Sequence, residues 1–258
     1  MEYSIIIPTI DEAPLVGPRV AACLDLRPMP EVVVADGGSS DDTCAQATGA
    51  GARVVVAPRR GRGPQMNAGA TEARGDVLVF LHADVALPQA AWSALVEALG
   101  DQGVTGGAFS RRFDSPSRLL NLGSRLADIR GRWLRVYLGD QAIFARREAF
   151  VKAGGFPDAL LFEDVEFSRR LRRQGRTVLI REPVLASSRR FDEEGNARRL
   201  CRNMHLILLY LLGADPNRLA RRYYPGRFGT TGRPRGAPAA SSRNTCGVAR
   251  GSPPAGGR

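Results

Sequence analysis

Apolar residues in the first half of the chain form short continuous runs, separated by stretches in which they recur every three or four residues. The continuous runs predict buried β-strands over 3–7, 31–35, 53–57 and 76–81. The other stretches predict helices over 13–26, 42–50, 65–74 and 88–99. Continuous apolar strands that alternate with helices are typical of a parallel sheet covered on both faces. The pattern therefore predicts an α/β fold with a mostly parallel central sheet flanked by helices.

The second half of the chain is less regular. It predicts helices over 116–135, 148–153, 163–174 and 197–212. It also predicts extended segments over 104–113, 142–145, 177–180 and 184–186. From residue 226 onward, glycine, proline and arginine replace almost all large apolar residues, so this segment cannot bury enough surface to fold. We predict one domain over 1–225, with halves 1–100 and 101–225, followed by a disordered tail over 226–258.

The chain is basic, with 37 lysine and arginine residues against 26 acids and a net charge of +11. This charge favours an anionic partner, although Lys152 is the only lysine, so a compositional bias toward arginine explains the charge equally well. The four cysteines form no metal-binding spacing, and we expect reduced thiols. We predict a cytoplasmic protein, because the N-terminus does not have the pattern of a signal peptide.

The longest apolar run, 206–212, is far shorter than the roughly 20 residues of a membrane-spanning helix. With its flanking arginines it suits either core packing or peripheral contact with a membrane. His205, in the same predicted helix, is expected to be structural.

Carboxylates follow three of the four predicted strands. Asp11 and Glu12 come after the first, Asp36 and Asp41 after the second, and Asp84 after the fourth. Ligands of an open parallel sheet bind beyond the carboxyl ends of its strands. Carboxylates there suit a nucleotide and a hard cation such as Mg²⁺ or Mn²⁺. Asp41 alone is explained as a helix cap, but a cap does not explain all of these acids.

Six stretches carry a resemblance to a known family. They are SIIIPTIDE (4–12), VVVADGGSSDDT (32–43), GRGPQMNAGA (61–70), VLVFLHAD (77–84), GDQAIFARR (139–147) and GGFPDALLFEDVEFSRRLRRQG (154–175). In this order they resemble glycosyltransferase family 2, the inverting enzymes with a GT-A fold, from residue 3 to about residue 225. In pattern the chain is most similar to the bacterial subgroup labelled arsenosugar-biosynthesis-type glycosyltransferases.

The resemblance implies roles for the residues that match the family's donor-binding motifs. It implies a nucleoside pocket lined by Pro8, Thr9 and Glu12, with Asp36 at the base. It places Arg62 and Asn67 in the donor-contacting loop. An arginine loop such as 59–63 is equally consistent with a solvated surface. Around the leaving diphosphate, the resemblance implies Asp84 as the metal ligand and Arg189 or Arg190 after the last strand.

On the acceptor side, the resemblance implies Asp164 as the catalytic base, with Glu163 as the alternate. Acids at a helix N-terminus also suit the helix dipole without any catalytic role. Asp140 and Gln141 are expected to shape the acceptor side, with Asp140 near a sugar hydroxyl. His82 departs from the family pattern, which has an acid there. Three roles stay open for His82: it is a metal ligand, it contacts the ribose, or it only packs at the end of the strand.

These observations predict a metal-dependent inverting glycosyltransferase with a UDP- or GDP-linked sugar donor and a hydroxyl acceptor. A sugar-1-phosphate nucleotidyltransferase is the first alternative, but such enzymes carry a glycine-rich basic loop after the first strand, where this chain has Pro8 to Glu12. A nucleic-acid-binding protein is the second alternative. Aromatic residues make up 7% of the chain and barely interleave with the arginines of the tail, so we expect no specific nucleic-acid partner.

Overall fold

A computed structural model describes residues 1–223 of the chain. The strands are β1 (Tyr3–Thr9), β2 (Glu31–Asp36), β3 (Arg53–Val56), β4 (Val77–Phe80), β5 (Val85–Ala86), β6 (Val104–Phe113), β7 (Phe144–Arg146) and β8 (Arg176–Ala186). The helices are α1 (Ala13–Leu24), α2 (Thr43–Gly49), α3 (Arg62–Glu72), α4 (Gln89–Ala98), α5 (Arg118–Leu134), α6 (Arg147–Lys152), α7 (Glu163–Arg172), α8 (Arg189–Glu194), α9 (Asn196–Leu211) and α10 (Pro216–Tyr223). A single 3-10 turn covers Gly139–Gln141.

The strands form one mixed sheet in the order β3-β2-β1-β4-β7-β6-β8-β5. The first four strands are parallel neighbours, whereas β7 runs antiparallel to both β4 and β6. Strands β6 and β8 are again parallel, and β5 is antiparallel to β8. The predicted α/β fold with a mostly parallel sheet is confirmed.

Alternate residues of the strands face two separate apolar cores. Ile5 and Ile7 of β1 pack into a core that includes Trp92 of α4, whereas Ile6 packs into a core with Met66 of α3 and Phe167 of α7. This alternation follows from the two-residue period of a strand. It places α3 and α7 on the same face of the sheet, where their first turns approach each other.

Several elements differ from the sequence prediction. The two strand segments predicted over 177–180 and 184–186 are one strand, β8. Pro183 lies in an irregularity of this strand, where three residues between Ile180 and Val184 oppose a single residue of β6. A bulge accommodates proline because no ladder hydrogen bond is needed there. The short elements β5, α8 and α10 were not predicted, since so few residues carry little periodicity.

Cys23 and Cys201 are free thiols, and burial raises the pKa of Cys23 to about 12. The expectation of reduced thiols is therefore met at Cys23 and Cys201, whereas Cys246 lies outside the described residues. Within residues 1–223, no helix is long and apolar enough to cross a membrane. The predicted tail over 226–258 lies outside the described residues.

Candidate active site

Two adjacent acids, Glu163 and Asp164, open helix α7. The chain enters this helix through Phe162, a buried residue in the left-handed region with a φ of 63°. Its ring stacks on Tyr210 of α9, with the ring centroids 4.6 Å apart. This stacking and the surrounding apolar cluster fix the turn before α7, so the two carboxylates are held on a rigid support.

The structure brings this acidic pair together with His82, which follows β4. All three residues line a small cavity of about 10 Å³, with Gly139 and apolar side chains such as Phe80 completing its wall. A cavity of this size holds about one water molecule. The carboxyl end of β4 and the N-terminus of α7 therefore meet at one point, although they are about eighty residues apart in the sequence.

Gly139 connects the histidine to the acidic pair. A Cβ atom at this position would lie 2.5 Å from His82 Nε2, so only glycine allows the ring to pack there without moving. The backbone N–H of Gly139 donates a 2.7 Å hydrogen bond to Asp164 Oδ2. The second oxygen of Asp164 accepts from the backbone N–H of Val165 at 2.7 Å. Asp164 is therefore oriented by two backbone donors.

Burial changes the proton affinity of both acids. Glu163 is 3% exposed, and burial raises its pKa to about 7, with Asp164 adding to the shift. Arg62 of α3 opposes this shift, since its Nη1 lies 3.7 Å from Glu163 Oε1. Burial also raises the pKa of Asp164, against the hydrogen bond from Gly139. The site therefore holds two carboxyl groups close to one guanidinium group, and Glu163 is the most buried of the three side chains.

The predicted metal ligands, His82 and Asp84, both follow β4, but only His82 lines the cavity with the acidic pair. Within residues 1–223, no group of three or more histidine, cysteine, aspartate or glutamate side chains is arranged to hold a metal ion. One or two protein ligands nevertheless suit Mg²⁺ or Mn²⁺ when substrate phosphates supply the other oxygens. The residues present therefore fit a metal bound jointly with a donor diphosphate.

The backbone oxygen of Asp84 accepts a 3.0 Å hydrogen bond from Ser187 N, which ties this end of the sheet to the segment after β8. Arg189 begins helix α8 two residues further on and is exposed. The Arg190 side chain is outside the described part of the structure. Contact of either arginine with a leaving diphosphate stays a prediction.

The loops after β1 and β2 are joined by hydrogen bonds that involve the predicted acids. The fully buried Asp36 accepts from the backbone N–H groups of Gly38 and Ser39 at 2.7 and 2.9 Å, and Thr9 Oγ1 lies 3.5 Å from its second oxygen. In this structure Asp36 shapes the loop and presents no exposed carboxylate. Contact of Asp36 with a base stays a prediction.

Other contacts join the same two loops. Asp11 accepts from Ser40 N at 2.7 Å, Asp41 accepts from Ala13 N at 3.1 Å, and Glu12 N donates to Thr43 Oγ1 at 2.8 Å. Pro8 is buried within β1, and the Glu12 side chain is half-buried at the start of α1.

Asn67 binds a distant backbone segment, and its contact with the donor stays a prediction. Its amide donates to Phe156 O at 2.8 Å and accepts from Phe156 N at 2.9 Å. Both ends of the side chain are thus used to hold α3 against the segment before α7. Arg62, predicted for the same donor loop, pairs with Glu163, and its contact with the donor stays a prediction.

Gln141 lies within the short turn at Gly139, and its role on the acceptor side stays a prediction. It is fully buried, and its Oε1 accepts from Arg130 Nη2 at 2.8 Å and from Leu138 N at 3.1 Å. Its Nε2 donates to Phe109 O at 3.2 Å. Gln141 therefore supports the turn that carries Gly139. Asp140, in contrast, is about one-third exposed and forms an ion pair with Arg111 of β6.

Sequence reasoning missed three residues that organise the site. Gln65 of α3 is buried and donates to Thr9 O at 2.6 Å and to Ala35 O at 3.0 Å, which fixes the ends of β1 and β2 side by side. No sequence signal distinguishes it from a surface glutamine. Arg111 did carry a signal, because a charge inside an apolar strand needs a partner. Arg130, whose pKa is lowered by burial, was hidden among the other arginines of α5.

Solved structures that share this fold include a mannosyltransferase and a glucosyl-3-phosphoglycerate synthase. A mannosyltransferase from Pyrobaculum calidifontis, in complex with GDP-Man and Mn²⁺, superimposes with a TM-score of 0.60 at 20% identity, over 71% of this chain and 56% of that one. Glucosyl-3-phosphoglycerate synthase from Mycobacterium tuberculosis, with Mn²⁺, UDP and phosphoglyceric acid, gives a TM-score of 0.56 at 22% identity, over 82% and 78% of the two chains. The fold is therefore GT-A-like.

The family model described as glycosyl transferase family 2 matches residues 4–157, more than half of the chain. The chain belongs to this family. A curated relative, glucosyl-3-phosphoglycerate synthase from Mycolicibacterium paratuberculosis, is 34% identical over 95 residues, which cover 33% of this chain. The matched stretch spans 29% of the length of that relative.

Proposed function

We propose that this protein transfers a sugar from a nucleoside-diphosphate donor to a hydroxyl acceptor, with inversion at the anomeric carbon. The observation that carries the proposal is the buried pair Glu163–Asp164, held beside His82 at the carboxyl end of β4. Family membership supports the reaction class. An acid on the acceptor side and a donor site at the strand ends are the two parts that a direct displacement needs.

Asp164 is the proposed base. The acceptor oxygen forms a bond to the anomeric carbon while the bond from that carbon to the diphosphate oxygen breaks, and the acceptor proton passes to the Asp164 carboxylate. Asp164 is more exposed than Glu163 and is oriented by Gly139 N, so it is the better placed of the two acids. Glu163, which pairs with Arg62, then influences the electrostatic potential at the Asp164 carboxylate.

A divalent cation, Mg²⁺ or Mn²⁺, is proposed at Asp84, with His82 as a second ligand or as a ribose contact. When bound, the cation would neutralise the charge that develops on the leaving diphosphate. The solved relatives from Pyrobaculum and Mycobacterium contain Mn²⁺ together with GDP-Man or UDP, which supports a UDP- or GDP-linked donor for this chain. The arsenosugar-type subgroup and a cytoplasmic location stay predictions.

The first experiment measures donor binding alone, and turnover is measured in the second. A thermal-shift series with UDP and GDP, each with and without Mn²⁺, should show a metal-dependent rise in melting temperature for one nucleotide, because ligands that bind the native state stabilise it. Asp84→Ala should remove the metal-dependent part of this shift. Asp25→Ala, which removes an exposed acid at the end of α1, is the matched control and should behave as the wild type.

The second experiment tests the base. Asp164→Asn should keep the nucleotide-dependent shift but lower turnover by about 10²–10⁴-fold, the usual contribution of a general base. Wild-type turnover of Asp164→Asn would contradict the proposal. Release of pyrophosphate from a nucleoside triphosphate and a sugar phosphate would instead indicate the nucleotidyltransferase alternative, and salt-sensitive binding of nucleic acid without turnover would indicate the binding-protein alternative.

A further inference from the structure

Helix α5 carries an apolar row on its solvent-facing side. Its buried face is formed by residues such as Leu120, Ala127 and Gly131. On the opposite face, four large apolar residues are each more than half exposed, namely Leu122, Leu126, Ile129 and Trp133. Their spacing of four, three and four residues places them on one face of the helix. Trp133 is the most exposed of them, at 82%.

A row of arginines runs beside this apolar row. Arg118, Arg125 and Arg132 recur every seven residues, so they also share one face of α5, and all three are exposed. The single acid of the helix, Asp128, is buried and accepts from Arg112 Nη1 at 3.0 Å. The exposed surface of α5 therefore combines large apolar side chains with positive charge and contains no negative charge.

A second apolar row extends along the neighbouring helix. Leu200 of α9 lies against Gly123 of α5. Met204, Leu208 and Leu212 follow Leu200 at successive intervals of four residues, and each is more than half exposed. The two rows therefore begin at the contact between the helices. Leu206, by contrast, is buried in the cluster around Phe162, so the run 206–212 divides between core and surface.

We propose that the exposed face of α5 binds the surface of an anionic phospholipid bilayer. Helices that lie in a membrane interface have this composition: Trp and Leu on the apolar face and arginine beside it, without a span long enough to cross. Each arginine near an anionic surface contributes a favourable electrostatic free energy of binding. A second copy of the chain fits less well, since two such faces would bring arginine rows together with no acid to pair them. This proposal does not rest on the proposed function.

Tryptophan fluorescence of the full chain provides the first test. The chain has two tryptophans, of which Trp92 is fully buried and Trp133 is exposed. Vesicles of equal parts phosphatidylglycerol and phosphatidylcholine should shift the emission of the wild type to the blue, and Trp133→Phe should abolish this shift. Vesicles of phosphatidylcholine alone should produce little change. An unchanged emission spectrum with the anionic vesicles would overturn the proposal.

Co-sedimentation with the same anionic vesicles provides the second test. Trp133→Ser should weaken binding by about tenfold or more, because a buried indole is lost. Arg125→Gln and Arg132→Gln should each weaken it by about fivefold. The controls are Val151→Ser on α6 and Arg74→Gln after α3, both exposed positions outside α5 and outside the strand β8 that packs on it, which should bind as the wild type.

The controls also address the C-terminal arginines, six of which fall within residues 226–258. If these alone attract the vesicles, Leu126→Gln will bind as tightly as the wild type, and the proposal is wrong. If sedimentation velocity without lipid shows a dimer that Leu126→Gln dissociates, then a second copy occupies the face and the proposal is also wrong. Circular dichroism and melting temperature should be unchanged in all of these surface variants.

Discussion

At the scale of single residues, acids of similar sequence context have different roles in the fold. Asp36 and Asp41 accept hydrogen bonds from backbone N–H groups of the loops around them. Glu163 is buried beside another acid, and its pKa is raised to about 7. Burial and the type of partner determine which acids hold loops and which have a perturbed pKa. The sequence shows neither of these two properties.

The raised pKa of Glu163 predicts a pH dependence of stability. The folded state keeps the Glu163 proton up to about pH 7, whereas the unfolded chain loses it near the ordinary value of 4.5. The folded state therefore binds more protons in this window, and the contribution of Glu163 to the free energy of unfolding falls as pH rises from about 4.5 to 7. Urea unfolding of Glu163→Gln should lack this part of the fall.

Glu97→Gln, at an exposed position of α4, is the matched control for that series and should follow the wild-type profile. The difference between wild type and Glu163→Gln, plotted against pH, reports the titration of Glu163 together with its effect on the adjacent Asp164. Parallel profiles for the wild type and Glu163→Gln would show that the Glu163 carboxyl group titrates normally.

The sequence indicated the place of the site better than its details. The strand end with His82 and Asp84 was singled out because ligands bind beyond the carboxyl ends of parallel strands, whereas the pair Glu163–Asp164 was singled out by the family resemblance. The backbone hydrogen bonds of Asn67 and Gln141 were not predicted, since a polar residue that hydrogen-bonds to a distant backbone segment has no local sequence signature. Phe156 is 89 residues from Asn67, and Phe109 is 32 residues from Gln141.

At the scale of elements, α3 links the donor side to the segment before α7. Its first turn carries Arg62, its buried Gln65 binds the ends of β1 and β2, and its Asn67 pairs with the backbone of Phe156. The hydrophobic period predicted the helix but placed its start three residues late, because Arg62 to Pro64 have no apolar signal. A glycine-rich start was needed, since a Cβ at Gly63 would lie 2.6 Å from Pro157 O.

Asn67→Ala tests whether this link is structural. The substitution leaves the backbone N–H and C=O of Phe156 without their partner, so the free energy of unfolding should fall by about 1–3 kcal/mol. Donor affinity, measured by titration of the nucleotide found in the thermal-shift series, should change little. Thr71→Ala, on the exposed side of the same helix, should change stability by no more than about 0.5 kcal/mol.

A large loss of donor affinity in Asn67→Ala, with stability unchanged, would instead support the direct donor contact implied by the family resemblance. The two roles thus predict opposite results in the two measurements. Because both variants are on α3, a general effect on helix formation would appear in both of them.

At the scale of the whole molecule, the predicted halves 1–100 and 101–225 share one sheet. Strand β7 of the second half lies between β4 of the first half and β6, so hydrogen bonds cross the division. Alternation of strands and helices predicted the parallel part over β1 to β4. An extended segment was predicted over 142–145, but the antiparallel pairing of β7 was not, because the neighbours of so short a strand are set by long-range pairing.

Truncation after Pro225 tests how much of the chain the reaction needs. We expect the shortened chain to keep its melting temperature, its nucleotide-dependent thermal shift and its turnover, because the cavity and both cores are built from residues 1–223. The expected change is a lower net positive charge, seen as weaker retention on a cation-exchange column. Loss of turnover on truncation would show that residues 226–258 take part in the reaction.

The reciprocal bonds between the loops after β1 and β2 have a consequence for binding. Asp11, Asp41 and Gln65 fix the two loops to each other without any ligand. A molecule that enters between them meets a preorganised rim, and its affinity is not reduced by the entropy cost of ordering that backbone. Most of the selectivity for the entering molecule then depends on the shape of a rigid opening rather than on its closure.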